Sequence, residues 1–121
     1  MNATILHKPS VTSGILDELA KALPCIISEE VQVRGGNLAI IKPDQVSLEF
    51  TQASLRDVGS DIRIMVFARS NNARTSTEGE RAKAMLEKVM ALIGKSDQEY
   101  SVDIRLYLMD IGTAEHSLGQ A

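Results

Sequence analysis

Apolar and polar residues follow two regular periods in the first part of the chain. Residues 3–7 form a short segment rich in strand-forming side chains, and the segment stops before Pro9, so it predicts a first strand. From Ser13 to Leu23 the apolar residues recur at helical spacing, with charged residues on the other side. This spacing predicts an amphipathic helix, and Pro24 is its expected end.

The next part of the chain reads as extended structure interrupted by turns. Residues 31–34 alternate, Gly35 and Gly36 are typical of a turn, and the runs 38–41 and 45–50 are again rich in strand formers. Together these segments predict the strand or strands that complete a first strand–helix–strand unit.

A second unit of the same kind follows. Residues 61–68 are half-alternating and then continuously apolar, which predicts a strand inside a sheet. A polar loop covers residues 69–76. Residues 102–109 alternate cleanly, which predicts a strand with one wet face and one buried face.

The helix between these two strands is the clearest predicted element. Its start carries the Thr-x-x-Glu capping pattern twice, at Thr75 with Glu78 and at Thr77 with Glu80. Its apolar residues recur at helical spacing, and Gly94 lies where a left-handed terminating residue is expected.

The elements therefore form two similar βαβ units, at about residues 1–55 and 56–121, within a single domain of 121 residues. This order predicts an α+β fold with one four-stranded sheet. Each helix has one apolar stripe, so both helices are expected to cover the same face of the sheet. The other face is then an uncovered apolar surface, and a soluble chain seldom leaves such a surface exposed. We therefore expect an oligomer.

Composition excludes several classes of protein. Lys and Arg number 13 against 16 Asp and Glu, which gives a net charge of -3, so there is no general positive field for nucleic acid. Cys25 is the single cysteine, which excludes an internal disulfide and fits a reducing compartment. No apolar run approaches the roughly 20 residues of a membrane span. These features predict a cytoplasmic protein that binds neither nucleic acid nor membranes.

The sequence indicates no metal or cofactor site. His7 and His116 lack the spacing of metal ligands, and Gly35–Gly36 lacks the phosphate-binding glycine pattern. Cys25 lies among apolar residues, so a small buried apolar side chain is its expected role.

Four segments carry a family resemblance. They are residues 62–68, residues 73–78 with their arginine-bearing loop, residues 81–86 in the following helix, and residues 101–110. This succession resembles the tautomerase superfamily, which includes the macrophage migration inhibitory factor, oxalocrotonate tautomerase and carboxymethyl-hydroxymuconate isomerase types. The first half of the chain fits more loosely. The resemblance implies a trimer of duplicated subunits, in agreement with the uncovered sheet face.

One departure from that family concerns its catalyst. The family's enzymes use an amino-terminal proline, freed by removal of the initiator Met, as a general base or attacking amine. Such an amine works because burial beside cations lowers its pKa and leaves it neutral near pH 7. Here Met1 is followed by Asn2, and Pro9 lies beyond the first strand. The usual catalytic residue is thus missing, and any remaining activity would be that of an isomerase.

Three arginines are candidates for binding a substrate carboxylate. Arg74 matches the loop arginine of the resembling enzymes, and a guanidinium can form two parallel hydrogen bonds to a carboxylate. Arg69 shares the same loop. Arg34, beside Gly35–Gly36, resembles a mid-chain substrate arginine of the isomerase type, and the resemblance implies the same role for it. For each, the alternative is a solvated surface arginine.

Two functional hypotheses follow. The first is a tautomerase-fold homotrimer without the proline-dependent reaction, binding a small carboxylic or keto acid at its subunit boundaries. The alternative is a ferredoxin-like interaction or regulatory module that docks a protein on the open sheet face.

Overall fold

A computed structural model describes residues 1–33, 41–96 and 98–119 of the chain. The described part contains four strands, three helices and a short 3₁₀ turn at Pro43–Gln45. In chain order they are β1 (Asn2–His7), α1 (Ser13–Val31), β2 (Ser47–Gln52), β3 (Ile62–Arg69), α2 (Asn72–Thr75), α3 (Glu78–Ile93) and β4 (Val102–Met109). The expected α+β fold is confirmed. No helix in the described ranges has the length and apolar character that a membrane crossing requires.

All four strands join one mixed sheet in the order β2-β1-β3-β4. The strands within each βαβ unit are parallel neighbours, β1 with β2 and β3 with β4. The units meet through β1 and β3, which run antiparallel with Ile5 opposite Ile64. A ferredoxin-like sheet has the same element order but a split βαβ, with another strand between the parallel pair. The ferredoxin-like architecture of the alternative hypothesis is therefore wrong.

The core lies between one face of the sheet and the two long helices, which pack against each other. Alternate residues of β1 and β3 are buried toward the helices, as the period of two requires. Their partners are the apolar stripes of α1 and α3, and the completely or nearly completely buried side chains there are Leu19, Leu23, Ile27, Val31, Met85, Val89 and Ile93.

Helix α1 does not stop at Pro24. It continues to Val31, so the predicted helix end and the strand predicted to begin at that residue are both wrong. A proline inside a helix removes one hydrogen bond and costs about 3 kcal/mol. Leu23, Ile27 and Val31 extend the buried stripe on both sides of the proline, and their burial outweighs that cost. Cys25 falls on the outer side of the lengthened helix and is exposed, contrary to expectation.

The rest of the predicted extended region is only partly described. The Gly35–Gly36 turn and most of the run 38–41 lie outside the described residues. The extended run predicted at 45–50 is confirmed as β2 with a shift of two residues, since the 3₁₀ turn ends at Gln45 and β2 spans Ser47–Gln52.

Helix α3 begins after Thr77, as one of the two capping patterns predicts, but its capping bond and its end differ from expectation. A short helix, α2, precedes α3 and uses the threonine hydroxyls: Thr77 Oγ1 donates to the Ala73 carbonyl at 2.7 Å. The side chain of Thr77 therefore does not cap α3. Gly94 has a φ of -61°, a right-handed value, so the predicted left-handed terminator is wrong.

The sheet face opposite the helices carries no helix in the described part of the chain. It combines half-buried apolar side chains with charged ones, so it is less apolar than the expected uncovered surface, and β4 contributes its predicted wet side. Phe67 stacks on Tyr107 with ring centroids 5.1 Å apart. Arg63 on the same face forms an ion pair with Asp57 at 2.6 Å.

Candidate functional site

A cavity of about 450 Å³ opens at the end of the sheet where β1 begins. We call it the amino-end cavity. Its lining residues are Met1, Asn2, Ile41, Gln45, Ala68, Arg69, Arg74, Ile111 and Thr113.

Strand directions bring these distant residues together. Because β1 and β3 are antiparallel, Asn2 lies opposite Phe67, near the last residue of β3. Since β4 is parallel to β3, its last residue, Met109, lies beside Arg69. The segment after β4 therefore starts at the same edge of the sheet. Strand β2 starts level with β1, and its first amide, that of Ser47, donates to the Met1 carbonyl at 3.0 Å.

Arg74 is held rigidly at the cavity. Only 7% of the Arg74 surface is exposed to solvent, so the alternative of a solvated loop arginine is wrong. Its Nε donates to the Val31 carbonyl at 3.0 Å, and its Nη1 donates to the Arg69 carbonyl at 2.9 Å. Burial, with a smaller contribution from Arg81, lowers the pKa of Arg74 from its usual value. Among the described residues no carboxylate contacts its guanidinium, and a buried cation without a carboxylate partner can bind an anion.

Arg69 has a different environment. It is the last residue of β3, it is exposed, and its side chain forms no hydrogen bond with the described residues. The structure thus places Arg69 and Arg74 on one cavity. Arg34 lies outside the described residues.

Two polar lining residues were not foreseen from the sequence. Gln45 belongs to the 3₁₀ turn, and its Oε1 accepts a hydrogen bond from the Lys42 amide at 2.9 Å, which orients the side-chain amide. Thr113 comes from the segment after β4. Pro43, which opens the 3₁₀ turn, is a local sequence signal for the turn that contains Gln45. It gives no indication of Thr113, which lies in a different segment.

The charges around the cavity have one sign. Its described lining includes two arginines but no aspartate or glutamate, while Ile41, Ala68 and Ile111 supply an apolar wall. Guanidinium and amide donors beside an apolar wall suit a small anion with an apolar body.

The amino end of the chain lies in the same cavity. Met1 and Asn2 both line it, whereas Pro9 follows the far end of β1. In the described ranges no group of three His, Cys, Asp or Glu side chains could hold a metal ion.

Comparison with known proteins gives a likeness in structure. No protein-family model and no curated protein matches the chain. A solved "fused 4-OT wild type symmetric trimer" is 14% identical with a TM-score of 0.65, over 94% of this chain and 92% of that one. Macrophage migration inhibitory factor from Toxoplasma gondii is 17% identical with a TM-score of 0.58, over 100% and 98% of the two chains.

A third solved structure, of malonate semialdehyde decarboxylase, is 10% identical with a TM-score of 0.55, over 99% of this chain and 93% of that one. All three similar proteins belong to the tautomerase superfamily. The likeness spans both βαβ units, so it covers the whole sheet and not one half of it. The chain therefore has the fold of the tautomerase superfamily.

Proposed function

We propose that this chain is a tautomerase-fold protein that binds a small carboxylic or keto acid in the amino-end cavity and does not catalyse the proline-dependent reaction. The observation that carries the proposal is the meeting of Arg69, Arg74 and the start of β1 in one cavity whose described lining holds no carboxylate.

The two arginines supply different parts of the binding energy. Arg74 is fixed by two carbonyls before any ligand arrives, so it offers a preorganised positive charge at little entropic cost. Arg69 is free to turn toward a carboxylate and form charge-assisted hydrogen bonds. The amide of Gln45 is placed to donate to a neighbouring oxo or hydroxyl group, and Ile41 and Ile111 contact the apolar body.

The same geometry supports binding without turnover. Where the resembling enzymes have the secondary amine of proline, Met1 and Asn2 each have at most a primary amine, and the side-chain amide of Asn2 is neither a base nor a nucleophile near pH 7. The remaining polar side chains of the lining are guanidiniums, an amide and a hydroxyl. Each of these groups can hold a ligand through hydrogen bonds, but none is a carboxylate or an imidazole, the usual general bases.

We further propose a cytoplasmic homotrimer in which the sheet faces opposite the helices meet. Half-buried Met65, Phe67 and Tyr107 on that face support an interface, and its charged residues support specific pairing rather than general aggregation. The likeness to a fused 4-OT described as a symmetric trimer supports three copies. The amino-end cavity would then lie at a subunit boundary.

Calorimetric titration with phenylpyruvate tests the binding, and phenylacetone is the matched control because it keeps the ring and oxo group but lacks the carboxylate. We expect phenylpyruvate to bind and phenylacetone not to bind. Arg69→Met should weaken phenylpyruvate at least about tenfold, because a charged hydrogen bond contributes about 1.5–3 kcal/mol.

Ultraviolet absorbance of phenylpyruvate or 2-hydroxymuconate tests the chemistry. We expect the rate of tautomerisation to equal that of buffer alone. Rapid turnover would contradict the proposed lack of tautomerase activity. Equal affinity for phenylpyruvate and phenylacetone would contradict the proposed carboxylate site.

A further inference from the structure

The last turn of α1 is held by two arginines. Arg81 Nη1 donates to the Glu30 carbonyl at 2.7 Å and to the Gln32 carbonyl at 2.9 Å. Arg74 Nε donates to the Val31 carbonyl between them at 3.0 Å. The carboxyl end of a helix has unpaired carbonyls and a partial negative charge, so cations are favourable there. Three consecutive carbonyls of this helix end are thereby fixed.

Gln32 passes this fixed position on to the wall of the amino-end cavity. Its Oε1 accepts a hydrogen bond from the amide of Ile41 at 2.8 Å, and its Nε2 donates to the Val33 carbonyl at 3.5 Å. One side chain thus holds both residues that flank positions 34–40. Ile41 lines the cavity, so the position of that wall depends on Gln32.

Arg81 is itself anchored next to α2. Its Nε donates to Thr77 Oγ1 at 2.8 Å, and that hydroxyl donates to the Ala73 carbonyl. Arg81 is not one of the residues that line the amino-end cavity. Arg81 therefore links three elements: its own helix α3, α2 through Thr77 and Ala73, and the carboxyl end of α1. It does so without contacting a ligand in the cavity.

We propose that Arg81 is a positioning residue, which sets the shape of the amino-end cavity by fixing the end of α1 to which both Arg74 and Ile41 are bonded. The proposal deepens the proposed function and rests on it for the ligand. Without the guanidinium, the carbonyls of Glu30 and Gln32 lose their donor. The Ile41 wall then loosens, and the cavity loses preorganisation although every ligand contact is still present.

Arg81→Met tests the proposal, with Lys83→Met as the matched control. Lys83 is an exposed cation on the same helix, so its variant makes the same change in charge. Amide hydrogen exchange of Ile41, measured by NMR without ligand, should become at least about tenfold faster in Arg81→Met and stay unchanged in Lys83→Met. Exchange at Ile64 in the central sheet should stay slow in both variants.

Calorimetric titration with phenylpyruvate supplies the second measurement. We expect about tenfold weaker binding in Arg81→Met, because the cavity is no longer preorganised. Wild-type affinity is expected in Lys83→Met, and Arg81→Lys should recover part of it through one ammonium-to-carbonyl bond. Gln32→Leu keeps the backbone carbonyl that Arg81 binds but removes the bond to Ile41, so it should reproduce both effects even if Arg81→Met does not fold.

The outcomes separate the two proposals. Wild-type Ile41 exchange in folded Arg81→Met would overturn the role of Arg81 whatever the ligand does, and wild-type exchange in Gln32→Leu would overturn the link between the end of α1 and the Ile41 wall. Absence of phenylpyruvate binding in the wild type would contradict the proposed function, and Ile41 exchange would still decide whether Arg81 fixes the wall.

Discussion

Arg74→Met removes a buried guanidinium while keeping a side chain of similar length. Two hydrogen bonds disappear, those from Nε to the Val31 carbonyl and from Nη1 to the Arg69 carbonyl. The first of these bonds joins α1 to α2, and the second closes the turn after β3. The variant therefore loosens two connections and also removes one of the two positive charges of the amino-end cavity.

The expected loss of stability follows from those bonds. A hydrogen bond from a charged donor contributes about 1.5–3 kcal/mol. Since two such bonds are lost, the upper limit on the loss of unfolding free energy is about twice that value. Part of this gain is already offset, because the guanidinium is desolvated and is repelled by Arg81. We expect a net loss of about 2–4 kcal/mol from a total that is typically 5–15 kcal/mol. For a domain of this size that corresponds to a melting temperature lower by roughly 8–16 °C.

Urea and thermal unfolding followed by circular dichroism measure this loss, and Arg69→Met is the control. The side chain of Arg69 forms no hydrogen bond with the described residues, so its variant should unfold within about 0.5 kcal/mol of the wild type. Both variants should bind phenylpyruvate more weakly. A melting temperature of Arg74→Met within 2 °C of the wild type would refute the reasoning, because it would mean that the two carbonyls do not depend on this side chain.

Three further predictions concern other parts of the molecule. Pro24→Ala restores a helix hydrogen bond inside α1 and should raise the free energy of unfolding by about 1–2 kcal/mol; a lower melting temperature would show that packing of the proline ring matters more. The pKa of Lys88 is raised, first by its hydrogen bond to Glu30 and then by that to Glu29, so its stabilisation is complete below its ordinary pKa of 10.5 and is lost as pH rises through the folded value. Lys88→Met should therefore lose less than about 1 kcal/mol at pH 7, since the pair is exposed, and the deficit in urea unfolding should shrink, not grow, toward pH 11. Asn2→Pro, in a chain from which Met1 has been removed, places a secondary amine in the amino-end cavity and should create measurable phenylpyruvate tautomerisation; no rate above buffer would argue against the missing proline as the reason for inactivity.

The sequence was most informative where one periodicity persists. Strand β4 was predicted at residues 102–109 and spans Val102–Met109, because a strand with one polar face alternates without interruption. It was least informative around Pro24, where a strong local signal to end the helix is outweighed by contacts of Ile27 and Val31 with distant parts of the chain. Local patterns do not contain those contacts.

The candidate site shows the same division. Arg69 and Arg74 could be proposed from their loop and the resemblance to tautomerases, but the burial of Arg74 could not, since it depends on the carbonyl of Val31 more than 40 residues away. Gln45 and Thr113 were missed because they belong to different segments. They meet only through the pairing of β2 with β1 and of β4 with β3.

The proposed homotrimer would cover the open sheet face. Sedimentation equilibrium over a range of micromolar concentrations measures it directly, because the mass of one chain is 13.2 kDa and three copies would have about 40 kDa. We predict a single species near the mass of three chains. A stable species of 13.2 kDa at every concentration would contradict the account.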